Sequence, residues 1–302
     1  LGDFAYGTAI TGSRGLIKFG LNTLTLSGAN TYDAGTWIAN GRVVVEAEQG
    51  LGTGGLVLGG PGTAGSLSLT NVSQTVNGTL WSRASTNADS AIHIGEGRSL
   101  VVLGNVTNGV DVDNYTRLVV DGAGTWAITN AYGFFQNGVQ SNGTAIVDLR
   151  NLGTFIADLG TGDFRVGPTN FANGTTSNLT WLATNSTITA ARIGIGDTAQ
   201  QTTGRSVLRL GGGATALLTD TLLVGGGKQH SELSFETADG TLTLSNRAGT
   251  GRTDLAVGVN WAGTGANTVG LLDTRGHDVS LYLGAVTNGG RRSSLTGSSA
   301  GY

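Results

Sequence analysis

The sequence predicts an all-β protein, a right-handed parallel β-helix (β-solenoid) with about three short strands in each coil. Short runs of alternating apolar and polar residues are separated by Gly- and Asn-rich turns, and no stretch has the apolar period of a helix. An aliphatic residue followed by glycine also recurs at strand ends, at intervals of 26–33 residues from position 166 onward. The right hand is expected from the general preference of crossovers between parallel strands.

The composition supports an ordered, turn-rich chain and argues against an ordinary enzyme. The 302 residues include 53 Gly, 2 Pro, 0 Cys and 0 Met, and only 12% are charged. A net charge of −3 without an evident basic face predicts that nucleic acid is not a partner. No apolar run has the length of a membrane helix, so we expect no membrane insertion by this segment.

The first regular region is residues 12–58. It contains the segment Thr23-Leu-Thr-Leu-Ser-Gly-Ala-Asn-Thr-Tyr32, a Gly-Thr turn, the strand Gly41-Arg-Val-Val-Val45 and a Gly-Leu-Gly turn that starts at Gly50. There is no room for a helix between these runs. Each run can therefore bury its apolar face only by stacking on another run of the same kind.

This order of elements resembles the passenger-associated repeat of bacterial autotransporters. The resemblance covers residues 12–58 and implies a secreted β-helix at the surface of a Gram-negative bacterium. The C-terminal membrane barrel typical of that family does not occur in this sequence, which begins at Leu1 without a leader. We therefore expect a processed product or a piece of a longer chain.

The rest of the chain continues the pattern, and we expect one solenoid domain over residues 1–302. Residues 104–150 are the least regular part and are predicted to form looser coils with longer loops. A repeat of about 30 residues is typical of a solenoid or a propeller, and three runs per repeat favour the β-helix because a propeller blade needs four strands. The aliphatic–glycine pairs are Ile94-Gly95, Val166-Gly167, Ile193-Gly194, Val224-Gly225, Val257-Gly258 and Leu283-Gly284.

Few residues have the spacing of a metal or catalytic site, and we predict no catalytic residue and no cofactor. His93, His230 and His277 are far apart in the sequence and are interpreted as surface polar residues, since a zinc site needs three or four converging ligands. Asp111 and Asp113 lie two apart on one strand face and form a weak candidate for Ca²⁺. The preferred interpretation of the two carboxylates is a solvated strand or turn.

The aromatic segment at 131–135 is a candidate contact surface. Tyr132, Phe134 and Phe135 either pack inside the solenoid or sit in a loop that binds a partner, because exposed apolar patches usually mark contacts. Rows of aromatic residues on one face of the solenoid would favour an adhesin that binds glycans or host receptors.

These observations favour a non-catalytic structural protein or adhesin of the bacterial surface. No capping helix is evident at either end of the sequence, and an uncapped β-helix presents unpaired backbone groups. The expected partners are other copies of the chain, joined head to tail into filaments, with surface glycans or host receptors as further partners. The alternative is a polysaccharide-degrading or glycan-binding β-helix, which would need carboxylates and basic residues aligned across neighbouring coils or a binding face.

Overall fold

The computed structural model describes residues 2–83, 88–109, 114–138, 143–168, 175–198, 202–259, 268–289 and 299–301. Strands and turns account for the ordered elements of these residues. None of the described residues belongs to a helix long and apolar enough to cross a membrane. The candidate calcium ligands Asp111 and Asp113 lie outside the described residues.

The described residues form 28 strands. In chain order they are β1 Phe4–Tyr6, β2 Leu16–Lys18, β3 Thr23–Leu26, β4 Thr36–Ile38, β5 Gly41–Val45, β6 Leu56–Leu58, β7 Gly65–Leu69, β8 Gln74–Val76, β9 Leu80–Ser82, β10 Asp89–Ile94, β11 Ser99–Val102, β12 Val106–Asn108, β13 Asn114–Thr129, β14 Phe134–Asn137, β15 Gly143–Asp148, β16 Leu152–Asp158, β17 Asp163–Val166, β18 Thr175–Trp181, β19 Asn185–Ile195, β20 Thr202–Leu210, β21 Ala214–Val224, β22 Lys228–Phe235, β23 Thr241–Ser245, β24 Thr253–Val257, β25 Thr268–Asp273, β26 Asp278–Leu281, β27 Leu283–Asn288 and β28 Ser299–Gly301.

The strands stack into three parallel ladders, faces A, B and C, which the chain visits in that order in each full coil. Face A contains β1, β3, β5, β7, β10, the first part of β13, β15, β18, β20, β22, β25 and β28. Face B contains β8, β11, the second part of β13, β16, the first parts of β19 and β21, β23 and β26. Face C contains β2, β4, β6, β9, β12, β14, β17, the second parts of β19 and β21, β24 and β27.

The predicted all-β solenoid of parallel strands is confirmed, whereas its right hand stays a prediction. Full coils with three strands begin at Gly65; we call them the wide coils. The coils over residues 4–58 have strands on faces A and C only, and we call them the short coils. The interval predicted to be looser, 104–150, contains the 16-residue strand β13, and its residues 110–113 and 139–142 lie outside the described residues.

One continuous hydrophobic core runs along the inside of the stack. In the short coils it consists of aliphatic side chains such as Leu26, Ile38 and Val43, each without solvent exposure. In the wide coils four aromatic rings enter it. They are Trp126, Phe135, Phe155 and Phe164, and the rings of the last three lie within 6.4 Å of one another between centroids.

A column of glycines with positive φ turns the chain from face C to face A in the wide coils. Its regular part is Gly109, Gly138, Gly167, Gly196 and Gly225, which follow one another at 29 residues. A Cβ at Gly196 would lie 2.0 Å from the hydroxyl of Ser231, so both φ and the close approach require glycine there. The predicted pairs at 166–167, 224–225 and 257–258 belong to this column.

The other three predicted pairs do not belong to the column. Gly95 follows a strand of face A, and Gly284 lies inside β27. For the pair Ile193-Gly194 the prediction was wrong by two residues. Gly194 lies within β19, and the turn is made by Gly196 after Ile195.

Candidate functional site

The structure separates the three aromatic residues predicted to contact a partner. Tyr132 is 87% exposed at a turn and Phe134 begins strand β14 at the surface. Phe135, by contrast, is fully buried and stacks on Phe164 with 4.4 Å between ring centroids. Its prediction as a contact residue was therefore wrong, because successive residues of a strand point to opposite faces. Whether Tyr132 and Phe134 bind a partner stays a prediction.

A more extensive row of apolar side chains lies on the outer side of face C, at its beginning. Ile17, Trp37, Val57 and Trp81 occupy one register position in four successive strands. Ile17 is 49% and Trp81 is 41% exposed, while the residues next to them in the strands point inward. Since neighbouring strands are about 4.8 Å apart, the two tryptophans are separated by about 10 Å along the solenoid axis.

A trough runs beside this row because three of the four neighbouring outward positions are glycines. These positions are Gly15, Gly35, Gly55 and Thr79, two residues before each member of the row. A Cβ at Gly35 would lie 2.5 Å from the carbonyl oxygen of Gly55, so the tight stacking itself requires glycine. The result is an open groove of about 450 Å³ parallel to the axis.

The groove is apolar, uncharged and held in shape by hydrogen bonds. Trp37 donates its indole N–H to the carbonyl oxygen of Gly59 at 2.7 Å, and Phe19 packs against its ring with 6.1 Å between centroids. None of the described residues that line the groove is charged. The groove could therefore receive a neutral ligand that offers an apolar face to a ring and hydroxyls to backbone carbonyls.

The residues that the sequence shares with the passenger-associated repeat have a structural role behind this groove. Asn30 is buried at the side where the short coils lack a strand; its Oδ1 accepts from the N–H of Ile10 at 2.8 Å, and its Nδ2 donates to the carbonyl of Gly50 at 2.6 Å. The buried Tyr32 hydroxyl lies 2.6 Å from that of Thr36, at the start of β4. Asn30 thus fastens its coil to both neighbours on the side where no third ladder forms, together with backbone hydrogen bonds between the same segments of neighbouring coils.

The three histidines lie apart, as their spacing predicts. His93 Nδ1 is 2.7 Å from Asp121 Oδ1, His230 Nε2 is 3.6 Å from Glu232, and His277 stacks on Phe235. In the part of the chain that the structure describes, no three His, Asp or Glu side chains are grouped to hold a metal ion.

Charged residues instead form a row of ion pairs on the outer side of face A. Asp148 is nearly buried and accepts hydrogen bonds from Arg117 and Arg150, each with an N–O distance of 2.7 Å. Burial alone would raise the pKa of Asp148, but the hydrogen bonds from the two guanidinium groups outweigh it and lower the pKa to about 2. A carboxyl with this pKa stays ionised and is unsuited to act as a general acid.

One carboxyl on face C has the opposite electrostatic environment. Burial raises the pKa of Asp197, and Arg192, 2.6 Å away, together with Arg165 only partly offsets this effect. Arg192 also lines a second groove of about 380 Å³ with Asp254 and Thr221. Among the described residues this cluster is one place where carboxylates and basic groups meet beside a groove, as the polysaccharide-degrading alternative requires.

The sequence contained a signal for the groove that the reasoning from composition missed. The same four-residue pattern occurs at positions 15–18, 35–38 and 55–58, each time as glycine, an inward residue, a large outward residue and a further inward residue. Its constant interval of 20 residues places Ile17, Trp37 and Val57 in one column.

Comparison with protein families gives one match: the model of the passenger-associated-transport-repeat covers residues 16–45. This match lies inside the interval 12–58 that the sequence predicts. No curated protein and no solved structure matches the chain. The matched residues run from β2 to β5, so they lie within the short coils and include about half of the residues that line the groove. The chain is therefore a β-solenoid that carries the passenger-associated-transport-repeat, a repeat that implies a secreted or surface-exposed protein.

Proposed function

We propose that this chain is a non-catalytic adhesion module, exposed at the surface of a Gram-negative bacterium, that binds a neutral glycan chain in the groove of Trp37 and Trp81. The observation that carries the proposal is the uncharged column of Ile17, Trp37, Val57 and Trp81 beside a trough of glycine backbone. Sugar rings stack their C–H faces on aromatic rings, and such a column offers two rings in line.

The spacing of the rings favours an extended ligand. In a β-linked chain of pyranoses with two-fold character, the same ring face recurs at every second sugar. The tryptophans lie two coils apart, about 10 Å, which is close to the length of two linked pyranoses. Because the groove is open and parallel to the solenoid axis, a chain can enter along its length and not only by its end.

Titration of the purified chain with neutral β-linked oligosaccharides of increasing length, followed by calorimetry, tests this proposal. We expect the affinity to rise until the oligosaccharide reaches both tryptophans and then to level off. Trp37→Ala and Trp81→Ala should each weaken binding by about tenfold or more, as is typical of aromatic anchors. Tyr132→Ala, which removes an exposed ring outside the groove, should leave the affinity unchanged.

Absence of binding across the series, or an equal loss in Tyr132→Ala, would show that the groove is not the site. Shortening of the oligosaccharides during incubation would instead support the polysaccharide-degrading alternative, with Asp197 as the first residue to replace. Head-to-tail association into filaments stays a separate prediction, which electron microscopy over a concentration series would test.

A further inference from the structure

The chain contains only two lysines, and both are buried. All other basic residues are arginines: 15 of the 17 positively charged side chains. Lys18 is 8% exposed and Lys228 is fully buried. Lysine is ordinarily a surface residue, because its ammonium group is strongly hydrated and costly to desolvate. Both positions therefore need a physical reason.

Backbone carbonyl groups around Lys18 explain why its ammonium group can be buried. Lys18 ends β2, and its Nζ donates to the carbonyl oxygens of Phe19, Gly20 and Asn40 at 2.9, 2.6 and 3.1 Å. These three acceptors use all three N–H groups of the ammonium ion and close the first corner of the solenoid.

Lys228 has a different environment. Its Nζ contacts the hydroxyl of Thr176 and lies 3.1 Å from the side-chain carbonyl oxygen of Asn178. Both partners are buried on β18, and β22, which begins with Lys228, lies two coils further along face A. Among the described residues no carboxylate forms an ion pair with Lys228.

A buried amine without a counter-ion is poorly solvated when charged. Burial lowers the pKa of Lys228 to about 7, so near neutral pH a large fraction of the amine is unprotonated and carries a free electron pair. An unprotonated lysine held against a carbonyl group is a nucleophile. The side-chain amide of Asn178 is the acceptor within its reach.

We propose that Lys228 and Asn178 are joined by an intramolecular isopeptide bond that forms in the folded chain. The Nζ of Lys228 attacks Cγ of Asn178, and the new C–N bond replaces the bond from Cγ to Nδ2. The proton released from Nζ passes to the departing nitrogen, with the hydroxyl of Thr176 placed to relay it, and ammonia leaves. One amine and one primary amide give one secondary amide and ammonia, so no oxidant or further reactant is needed.

The bond would remove the buried amine without a counter-ion at position 228, and it would link strands that are not neighbours. The product is a neutral amide, which tolerates burial better than an ammonium group without a counter-ion. It would connect β18 to β22 across β20, and so add a covalent link between coils that are otherwise joined by ladders between neighbours and by longer side-chain contacts such as that of Trp181 with Glu236.

Mass spectrometry of the purified full chain tests the proposal directly. We expect an intact mass lower than the sequence mass by one ammonia, and a branched tryptic peptide that contains both Asn178 and Lys228. Succinimide formation at an Asn-Gly pair such as Asn77-Gly78 also releases ammonia, so the branched fragment decides. Lys228→Met should abolish the branched peptide, whereas Lys18→Met should retain it.

Two further measurements keep the test independent of whether a variant folds. In the unfolded wild-type chain an amine-reactive reagent should label Lys18 and leave Lys228 unlabelled. The variant Asn178→Asp should reach the same linked mass as the wild type by losing water from its carboxyl group. If Lys228 takes up label to the same extent as Lys18, the bond does not exist and the proposal is wrong.

Discussion

The hydrophobic core of the wide coils contains aromatic rings, whereas that of the short coils is aliphatic, and Tyr32, a buried ring of the short coils, does not belong to it. Phe19 and Trp37 sit on the outer side of face C in the short coils, and Trp81 lies on the same side in β9 of the first wide coil. In the wide coils Trp126 and Phe155, with their buried neighbours, fill the interior. The two regions share one stack and one core, so the difference arises from the coil itself.

Coil size provides the physical reason. Corresponding residues on face C are 20 positions apart in the short coils, while the glycine column of the wide coils has a period of 29. A short coil has two strands, and its interior contains aliphatic side chains such as Leu56 and Leu58. The third strand of a wide coil encloses a wider interior, which contains four buried rings. Phe19 and Trp37 of the short coils lie outside the core, on the outer side of face C.

The largest expected effect is a difference in the free energy of unfolding between alanine variants of two adjacent residues of the wide coils, Phe135 and Phe134. Phe135→Ala should lower the free energy of unfolding by about 3–5 kcal/mol, because it removes a buried ring that contacts three others. Phe134→Ala removes a ring at the surface and should change it by less than about 1 kcal/mol. Chemical denaturation followed by circular dichroism measures both.

Hydrogen exchange on the same variants shows where the destabilisation falls. Because the strand ladders join each coil only to its neighbours, Phe135→Ala should reduce amide protection in β14 and β17 and leave β3 and β5 unchanged. A uniform loss of protection over the whole stack would contradict the division into two regions.

The second expected effect concerns the closure of the short coils. Asn30→Ala leaves the N–H of Ile10 and the carbonyl of Gly50 without their partner, which should cost about 1–3 kcal/mol. The matched control is Asn77→Ala, since Asn77 also bonds to the backbone of a neighbouring coil, at Thr53, but from an exposed position. Equal losses in the two variants would show that the buried asparagine does not replace the missing ladder.

Much of the fold could be predicted from the sequence because a solenoid repeats a local pattern. Alternating runs, glycine turns and the interval of about 30 residues suffice to predict parallel strands in stacked coils. The number of strands in the first coils could not be predicted in this way, since their third side forms no ladder and is held by Asn30 and by isolated backbone hydrogen bonds between neighbouring coils.

The site was harder to predict because it depends on which residues of each strand point outward. Phe134 and Phe135 are neighbours in sequence, but the first side chain lies at the surface and the second in the core. Gly194 and Gly196 are two residues apart, but only Gly196 has the positive φ of the turn. A shift of one or two residues decides which side chains form a column. Contacts between distant coils, such as that of Lys228 with Asn178, have no signal in the local pattern.

The smallest expected effect tests the charged outer side of the wide coils, and it depends on pH. The pKa of Asp148 is about 2 in the folded chain, below its ordinary value of 3.8, so its ion pairs stabilise the fold above pH 4. This stabilisation should disappear as the pH falls from about 4 to 2. A difference of nearly two pKa units corresponds to at most about 2.5 kcal/mol, and partial exposure of the arginines reduces this to about 1–2 kcal/mol.

Asp148→Asn, measured by urea unfolding between pH 2 and pH 7, should therefore be less stable than the wild type at neutral pH and equal to it near pH 2. Asp273 provides the control: its pKa is also lowered to about 2 by hydrogen bonds from Arg275, but that pair lies in solvent. Asp273→Asn should have a smaller effect at every pH, because water screens the pair. If the two variants lost the same stability, the row on face A would be no more than a set of surface ion pairs, and the wide coils would depend on their aromatic interior alone.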